Sequence, residues 1–193
     1  MGRLVLILGG VRSGKSAMAE KMARNAGGRI TLVATAQALD DEMKQRIAAH
    51  RAARPAGWRT LEEPLDLGGA VEQAVADSDL VVVDCLTLWL SNHLCRIEAA
   101  ESSGEWGDAV DRLGAVLERD LSRLVEAVRS AGATVVVVSN EVGLGLVPPN
   151  PIGRVYRDLL GLANSRLAAE ADQVLLMVAG LPIDVKRLAW ELE

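Results

Sequence analysis

The chain predicts an α/β fold: a doubly wound, mostly parallel β-sheet with helices on both faces. Five short runs, RLVLIL at 3–8, ITLVAT at 30–35, LVVVDC at 80–85, TVVVVS at 134–139 and QVLLMV at 173–178, are apolar at nearly every position. Strands buried on both faces read this way, because neither side alternates with water. Longer stretches of helical periodicity separate these runs, and repeated β-α alternation implies right-handed crossovers in one sheet. With 193 residues, 50% of them hydrophobic and 24% charged, residues 1–193 suit a single domain with a sizeable core.

The elements follow in order. The first apolar run leads into a glycine-rich turn, and residues 15–25 read as a helix with Met18 and Met22 one turn apart. After ITLVAT, residues 40–53 repeat the pattern with Met43 and Ile47, and Pro55 should stop that helix, since the residue before proline avoids the helical region. WRTLE at 58–62 reads as a further short strand, and 66–77 as a helix. LVVVDC is followed by a helix carrying LTLWLSN and His93. ESSGEWGD at 101–108 is an exposed polar loop, and 108–131 and 153–171 are helices. Between them, after TVVVVS, VGLGLVPPNP at 142–151 forms a Gly/Pro loop at the carboxyl end of the sheet, where such folds hold their ligands.

Composition narrows the function classes. Aromatic residues make up 3% and Phe is absent, so Leu, Val, Ile, Ala and Met must build the core. A net charge of -5 argues against a general nucleic-acid surface. No apolar stretch reaches membrane-spanning length, and RLVLIL runs into a glycine turn instead of a leader's cleavage site, so a cytoplasmic protein is expected. Cys85 and Cys95 lack metal-ligand spacing and read as reduced packing residues.

GGVRSGKS, residues Gly9, Gly10, Val11, Arg12, Ser13, Gly14, Lys15 and Ser16, fits G-x-x-x-x-G-K-[ST] between a strand and a helix. Glycines there let backbone N–H groups wrap phosphates at a helix N-terminus. Lys15 would reach the β- and γ-phosphates, and Ser16 would bind Mg²⁺. Asp84 ends an apolar strand, as a carboxylate holding Mg²⁺ beside such a loop would. Together they predict a nucleoside triphosphate site without naming the base. The guanine-reading string N-K-x-D is absent, and Arg154, Arg157 and Arg166 are spread along a helix, unlike the arginine-rich lid of a nucleotide kinase.

The densest arginine group lies in RIAAHRAARPAGW, where Arg46, Arg51 and Arg54 surround His50. Arg46, His50 and Arg54 follow i, i+4, i+8 and share a helix face beside the Met43–Ile47 stripe. Two readings stand. His50 is a surface residue among solvated arginines, or it attacks a phosphorus while Arg51 and Arg54 clamp a triphosphate. Glu62 is either a solvated acid or a ligand for metal or a sugar hydroxyl, and His93 reads as a surface or packing residue.

The chain resembles the bifunctional adenosylcobinamide kinase / adenosylcobinamide-phosphate guanylyltransferase family of cobalamin biosynthesis. The resemblance runs through GGVRSGKS, VATA, DEMKQRIAAHRAARPAGWRTLEEP, VVVDCLTLWLSN, SNEVGLGLVPPNPIGRVYRDLLGLANSRLAAEADQV and AGLPIDVK. It implies that His50 carries GMP covalently and that Gly9 to Ser16 form the phosphate loop. It places Ala34, Thr35, Ala36, Arg51, Ala52, Ala53, Arg54, Glu62 and Asp84 around GTP. It also implies a P-loop NTPase core like RecA, a homotrimer, GTP and ATP as substrates with Mg²⁺, and adenosylcobinamide and its phosphate as acceptors. One departure is Ser165, where the family's pattern has Gln after Asn164. A plain small-molecule kinase with a structural His50, and a nucleotide-gated binding module, are the competing readings.

Overall fold

Seven strands form one sheet in the order β3-β2-β4-β5-β1-β6-β7. The computed structural model describes residues 1–38, 40–55, 57–100 and 107–190. In chain order the elements are β1 (Arg3–Gly9), α1 (Lys15–Ala26), β2 (Ile30–Ala34), α2 (Asp41–Ala53), β3 (Arg59–Glu62), α3 (Leu67–Ala76) and β4 (Leu80–Asp84). There follow α4 (Leu86–Ala100), α5 (Gly107–Ser130), β5 (Thr134–Val138), α6 (Pro151–Glu170), β6 (Gln173–Val178), β7 (Leu181–Asp184) and α7 (Val185–Leu188). All five apolar runs are strands, and WRTLE supplies β3. Most of the exposed loop expected at 101–108 lies outside the described residues, and α5 begins at Gly107.

Successive strand residues point to opposite faces, so each central strand feeds two cores. Leu4, Leu6, Val81, Val83, Val135 and Val137 face a broad layer built from α3, α4, α5 and α6. On α5, Leu113, Leu117, Leu121 and Leu124 form the buried stripe. Trp89 of α4 is fully buried there, and its indole N–H donates to the Leu65 carbonyl at 2.7 Å. His93, one turn on, is half-buried and meets the Trp89 ring edge-on at 5.4 Å, a packing role. Cys95 departs from expectation: it is exposed, on the wet side of α4 beside buried Leu94.

The opposite face is thinner. Val5, Ile7, Leu80, Val82, Val136 and Val138 pack there against Ala19 and Ala23 of α1. Among the described residues of α2 none is fully buried, so this helix stands off from the sheet. Asp40 starts it, its carboxylate accepting from the Met43 amide at 2.7 Å. The extended backbone at Arg54 ends it, as Pro55 requires.

β7 runs antiparallel to β6, with Leu175 opposite Asp184 and Val178 opposite Leu181. The turn uses Ala179 and Gly180, both at positive φ (51° and 85°), which suits the twist of a two-residue hairpin. The sheet is therefore mostly, not wholly, parallel.

At the opposite end of the sheet, Asp172 joins three elements. It accepts from the Leu4 amide at 2.7 Å and from Arg129 Nη1 at 3.1 Å, tying β1, α5 and the start of β6. Burial raises the Asp172 carboxyl, but the Leu4 amide and Arg129 outweigh it and hold it below the ordinary carboxylate range. A depressed carboxyl adds stability that is present above its unfolded pKa and is lost as pH falls through its folded pKa. Asp172→Asn should therefore lower Tm at neutral pH, and the gap to the native chain should close on acidification below about pH 4. Partial exposure should keep that gap to a few degrees in calorimetric scans.

Candidate functional site

Parallel pairing lines up four residues across the carboxyl ends of neighbouring strands. Glu62 pairs with Ala34, Ala34 with Asp84, and Asp84 with Val138. Ile7 of β1 sits on the other side of Val138, two residues before the phosphate loop begins. Segments far apart in sequence thus end on one line, at one edge.

Close packing demands the loop's glycines. A Cβ at Gly9 would stand 2.6 Å from Ser13 Oγ and 2.7 Å from the Met177 carbonyl. Gly14 has φ 96°, and a Cβ there would lie 3.3 Å from Gly180 Cα. The Gly180 amide donates to the Ser13 carbonyl at 3.0 Å, so the β6–β7 turn braces the loop from outside. Arg12 adopts φ 55°, completing the curl before α1. Lys15 bends back and donates to the carbonyls of Gly9 at 2.9 Å and Gly10 at 2.7 Å. Burial lowers its ammonium from the ordinary lysine value, opposed by Cys85 and Asp84. A buried cation held only by carbonyls, beside a helix N-terminus, is placed to receive phosphate.

Two adjoining cavities open beside the loop. One, of about 370 Å³, lies between α1 and α2 over Leu32 and Val82, with Ala49, Pro55 and Trp58 on its wall. The other, of about 400 Å³, takes in Val11, Arg12, Lys15, Ala34, Ala36, Arg51 and Glu62. Ser16, His50, Arg54, Asp84 and Val138 line both. The Met43–Ile47 stripe faces the second cavity, which explains an apolar stripe on a helix with no fully buried residue among those described.

Arg51 forms an ion pair with Glu62, joining α2 to the end of β3. Arg54 donates to Thr60 Oγ1 at 3.2 Å. Burial lowers the Arg54 guanidinium, and the Asp84 charge is the largest opposing influence. Burial pushes the Asp84 carboxyl up, partly offset by His50, Arg54 and Lys15. Among the described residues no three His, Cys, Asp or Glu side chains cluster to hold a metal unaided. The Ser16 hydroxyl and Asp84 carboxylate nevertheless line the same cavities. That donor pair fits Mg²⁺, which takes its other ligands from phosphates and water.

The loop residues, Ala34, Ala36, His50, Arg51, Arg54, Glu62 and Asp84 are thus brought together. Two expected residues stand differently. Thr35 is fully buried: its hydroxyl donates to the Cys85 carbonyl at 2.7 Å and accepts from the Cys85 amide at 3.0 Å. It braces the site from behind because its alternation turns it away from the cavity. Ala52 is exposed, and Ala49 lines the first cavity instead. The Ala53 and Arg46 side chains lie outside the described residues.

Sequence reading missed Asn92, whose amide donates to the carbonyls of Thr35 at 2.7 Å and Pro64 at 3.0 Å. It also missed Thr87, Asn140 and Trp58 as lining residues. Cys85 lines the second cavity as well as packing in the core. Burial and Asp84 push its thiol up, which disfavours the reactive thiolate. Thr35→Val should strand the Cys85 amide and carbonyl and cost about 1–3 kcal/mol. A thermal melt should show a drop of several degrees.

A family model described as cobinamide kinase / cobinamide phosphate guanyltransferase matches residues 5–185. The bifunctional adenosylcobalamin biosynthesis protein CobP of Pseudomonas aeruginosa is 42% identical over 181 residues, 94% of this chain and 96% of that one. The corresponding CobU proteins of Salmonella typhimurium and Escherichia coli are 37% and 34% identical, each over 95% of this chain and 99% of their own. The crystal structure of the RadB recombinase matches in fold, with TM-score 0.50 and 18% identity, covering 91% of this chain and 74% of that one. The fold is thus that of a RecA-like P-loop NTPase, and the chain belongs to the cobinamide kinase / cobinamide phosphate guanyltransferase family.

Proposed function

We propose that this chain phosphorylates adenosylcobinamide with ATP or GTP, then transfers GMP from GTP to adenosylcobinamide phosphate through a GMP–His50 intermediate. The observation that carries the reading is that His50 and Arg54 line the same two cavities as Ser16 and Asp84, one of them shared with Lys15.

In the kinase step the terminal hydroxyl of the aminopropanol arm attacks the γ-phosphorus, the P–O bond to the β-phosphate breaks, a nucleoside diphosphate leaves, and the hydroxyl proton passes to solvent. Lys15 exchanges its carbonyl partners for phosphate oxygens. Ser16 and Asp84 would hold Mg²⁺, which, when bound, draws charge from the transferring phosphoryl group. Arg54 supplies a guanidinium beside them. In the second step a His50 nitrogen attacks the α-phosphorus of GTP, an N–P bond forms, and the P–O bond to pyrophosphate breaks. The phosphate loop then cradles pyrophosphate. The acceptor's phosphate displaces the imidazole, giving adenosylcobinamide-GDP and free histidine. Glu62 holds Arg51 at the rim, so it acts through that arginine.

A homotrimer is part of this reading. The apolar edge formed by Leu181, Ile183, Leu188 and Trp190, exposed along β7 and beyond, supports self-association. No helix among the described residues is long and apolar enough to cross a membrane. Two free cysteines fit the reducing cytoplasm proposed as its compartment.

Incubation with Mg²⁺ and α-labelled GTP, without corrinoid, should leave acid-labile, alkali-stable label on the protein. His50→Asn should abolish that label. A labelled His50→Asn chain, or an unlabelled native chain that still phosphorylates adenosylcobinamide, would refute the histidine's role. Lys15→Ala should slow both transfers about 10²-fold or more in steady-state assays.

A further inference from the structure

The loop after β5 leaves three large apolar side chains in water: Leu144 (88% exposed), Leu146 (97%) and Val147 (67%). Scattered exposed aliphatics are ordinary, but three within four positions of one loop are not. The loop is fastened along its length. Asn164 donates to the Asn140 carbonyl at 2.9 Å, and Arg157 to the Gly143 carbonyl at 2.8 Å. Arg154 donates to the carbonyls of Pro148 at 3.2 Å and Pro149 at 2.8 Å. All three donors lie on α6. The Glu141 carboxylate accepts from the Gly143 amide at 2.6 Å, and its own amide donates to the Gly9 carbonyl at 3.1 Å. One end of the loop is therefore tied to the phosphate loop. Its backbone is held to α6 while its apolar side chains remain in solvent.

The acceptor is much larger than either cavity. Volumes of about 370 and 400 Å³ suit a nucleotide, whereas a corrin macrocycle with its amide arms exceeds them. A corrinoid acceptor would therefore insert only its hydroxyl-bearing arm and leave the macrocycle outside. Val11, 83% exposed, and Asn140 line the second cavity, and the fastened loop continues from Asn140. From Val142 to Gly153 no side chain carries a charge, which matches a methyl-studded ring rimmed by neutral amides.

We infer that Leu144, Leu146 and Val147, with Val11, form the platform on which the corrin ring lies while its arm reaches past Asn140 to the nucleotide. The assignment rests on adenosylcobinamide being the acceptor. A second copy of the chain is the other candidate occupant. Continuity with the nucleotide cavity favours the substrate, and the β7 edge offers a separate surface for self-association.

The test compares the native chain with Leu144→Gln/Leu146→Gln in kinase assays, in equilibrium dialysis of adenosylcobinamide in the dark, and in light scattering. The expected result is a KM and Kd for adenosylcobinamide raised about tenfold or more by loss of apolar burial. The KM for GTP and acceptor-free labelling of His50 should stay as in the native chain, with oligomeric state unchanged. Unchanged KM and Kd for adenosylcobinamide would overturn the platform while leaving the proposed function standing. A changed oligomeric state would give the lip to a second copy and overturn it equally. A native chain inactive on adenosylcobinamide would overturn the functional reading and the platform with it.

Discussion

The site depends on the register of parallel hydrogen bonding among aliphatic strands. Pairing of Ala34 with Asp84 and of Asp84 with Val138 fixes where every polar group at the carboxyl edge emerges. Strand side chains alternate, so a slip of one residue in β4 would turn Asp84 to the other face and bring an apolar side chain to the cavity floor. The valine runs at 81–83 and 135–138 resist this only weakly by pattern, since both faces are apolar. The two flanking helix layers must decide it. Leu86 and Trp89, just beyond Asp84, are fully buried under the thick layer and anchor the end of β4.

The two faces divide the labour. The side covered by α3, α4, α5 and α6 holds the broad core, with Trp89, Leu121, Leu124, Leu160 and Leu167 fully buried. The other side has α1 against the sheet and α2 held off, which leaves volume for a ligand. That volume has an energetic cost. A lysine and a carboxylate are drawn into it with their ionised forms disfavoured by burial. The large apolar layer behind the sheet offsets that cost, and a bound nucleotide removes part of it by giving Lys15 a partner better than two carbonyls.

What the sequence disclosed follows from which constraints are local. Strands buried on both sides announce themselves as unbroken apolar runs, and the phosphate loop is a contiguous string whose residue types are dictated by close backbone approach. β7 did not announce itself, because LPID is a short edge segment with a proline and exposed side chains. Its signal was the Ala179–Gly180 pair between two apolar segments. The bracing by Gly180, the Arg51–Glu62 pair and the buried amide of Asn92 are long-range contacts, visible only once the sheet is assembled. Thr35 differs from its neighbours in the direction of its side chain. Its neighbours Ala34 and Ala36 line the cavity, while it turns inward to hold Cys85.

The proposed pair of reactions places a demand on geometry. The γ- and α-phosphorus atoms of one nucleotide are separated by two bridging oxygens and the β-phosphorus. A single loop can serve both transfers only if attacking groups approach from different positions along the chain of phosphates. On the proposed platform the macrocycle's arm would come from the side of Val11 and Asn140, whereas His50 stands on α2 and lines both cavities. No described residue of α2 is fully buried, so under the proposed function this helix could shift toward the α-phosphorus with little cost to the core. Lys15 and Ser16 open α1 and Asp84 ends β4, so the cationic group and the pair that would hold Mg²⁺ sit at the carboxyl edge of the sheet. In the proposed reactions the histidine and the groups facing the phosphates would thus come from different elements, α2 on one side and the phosphate loop, α1 and β4 on the other.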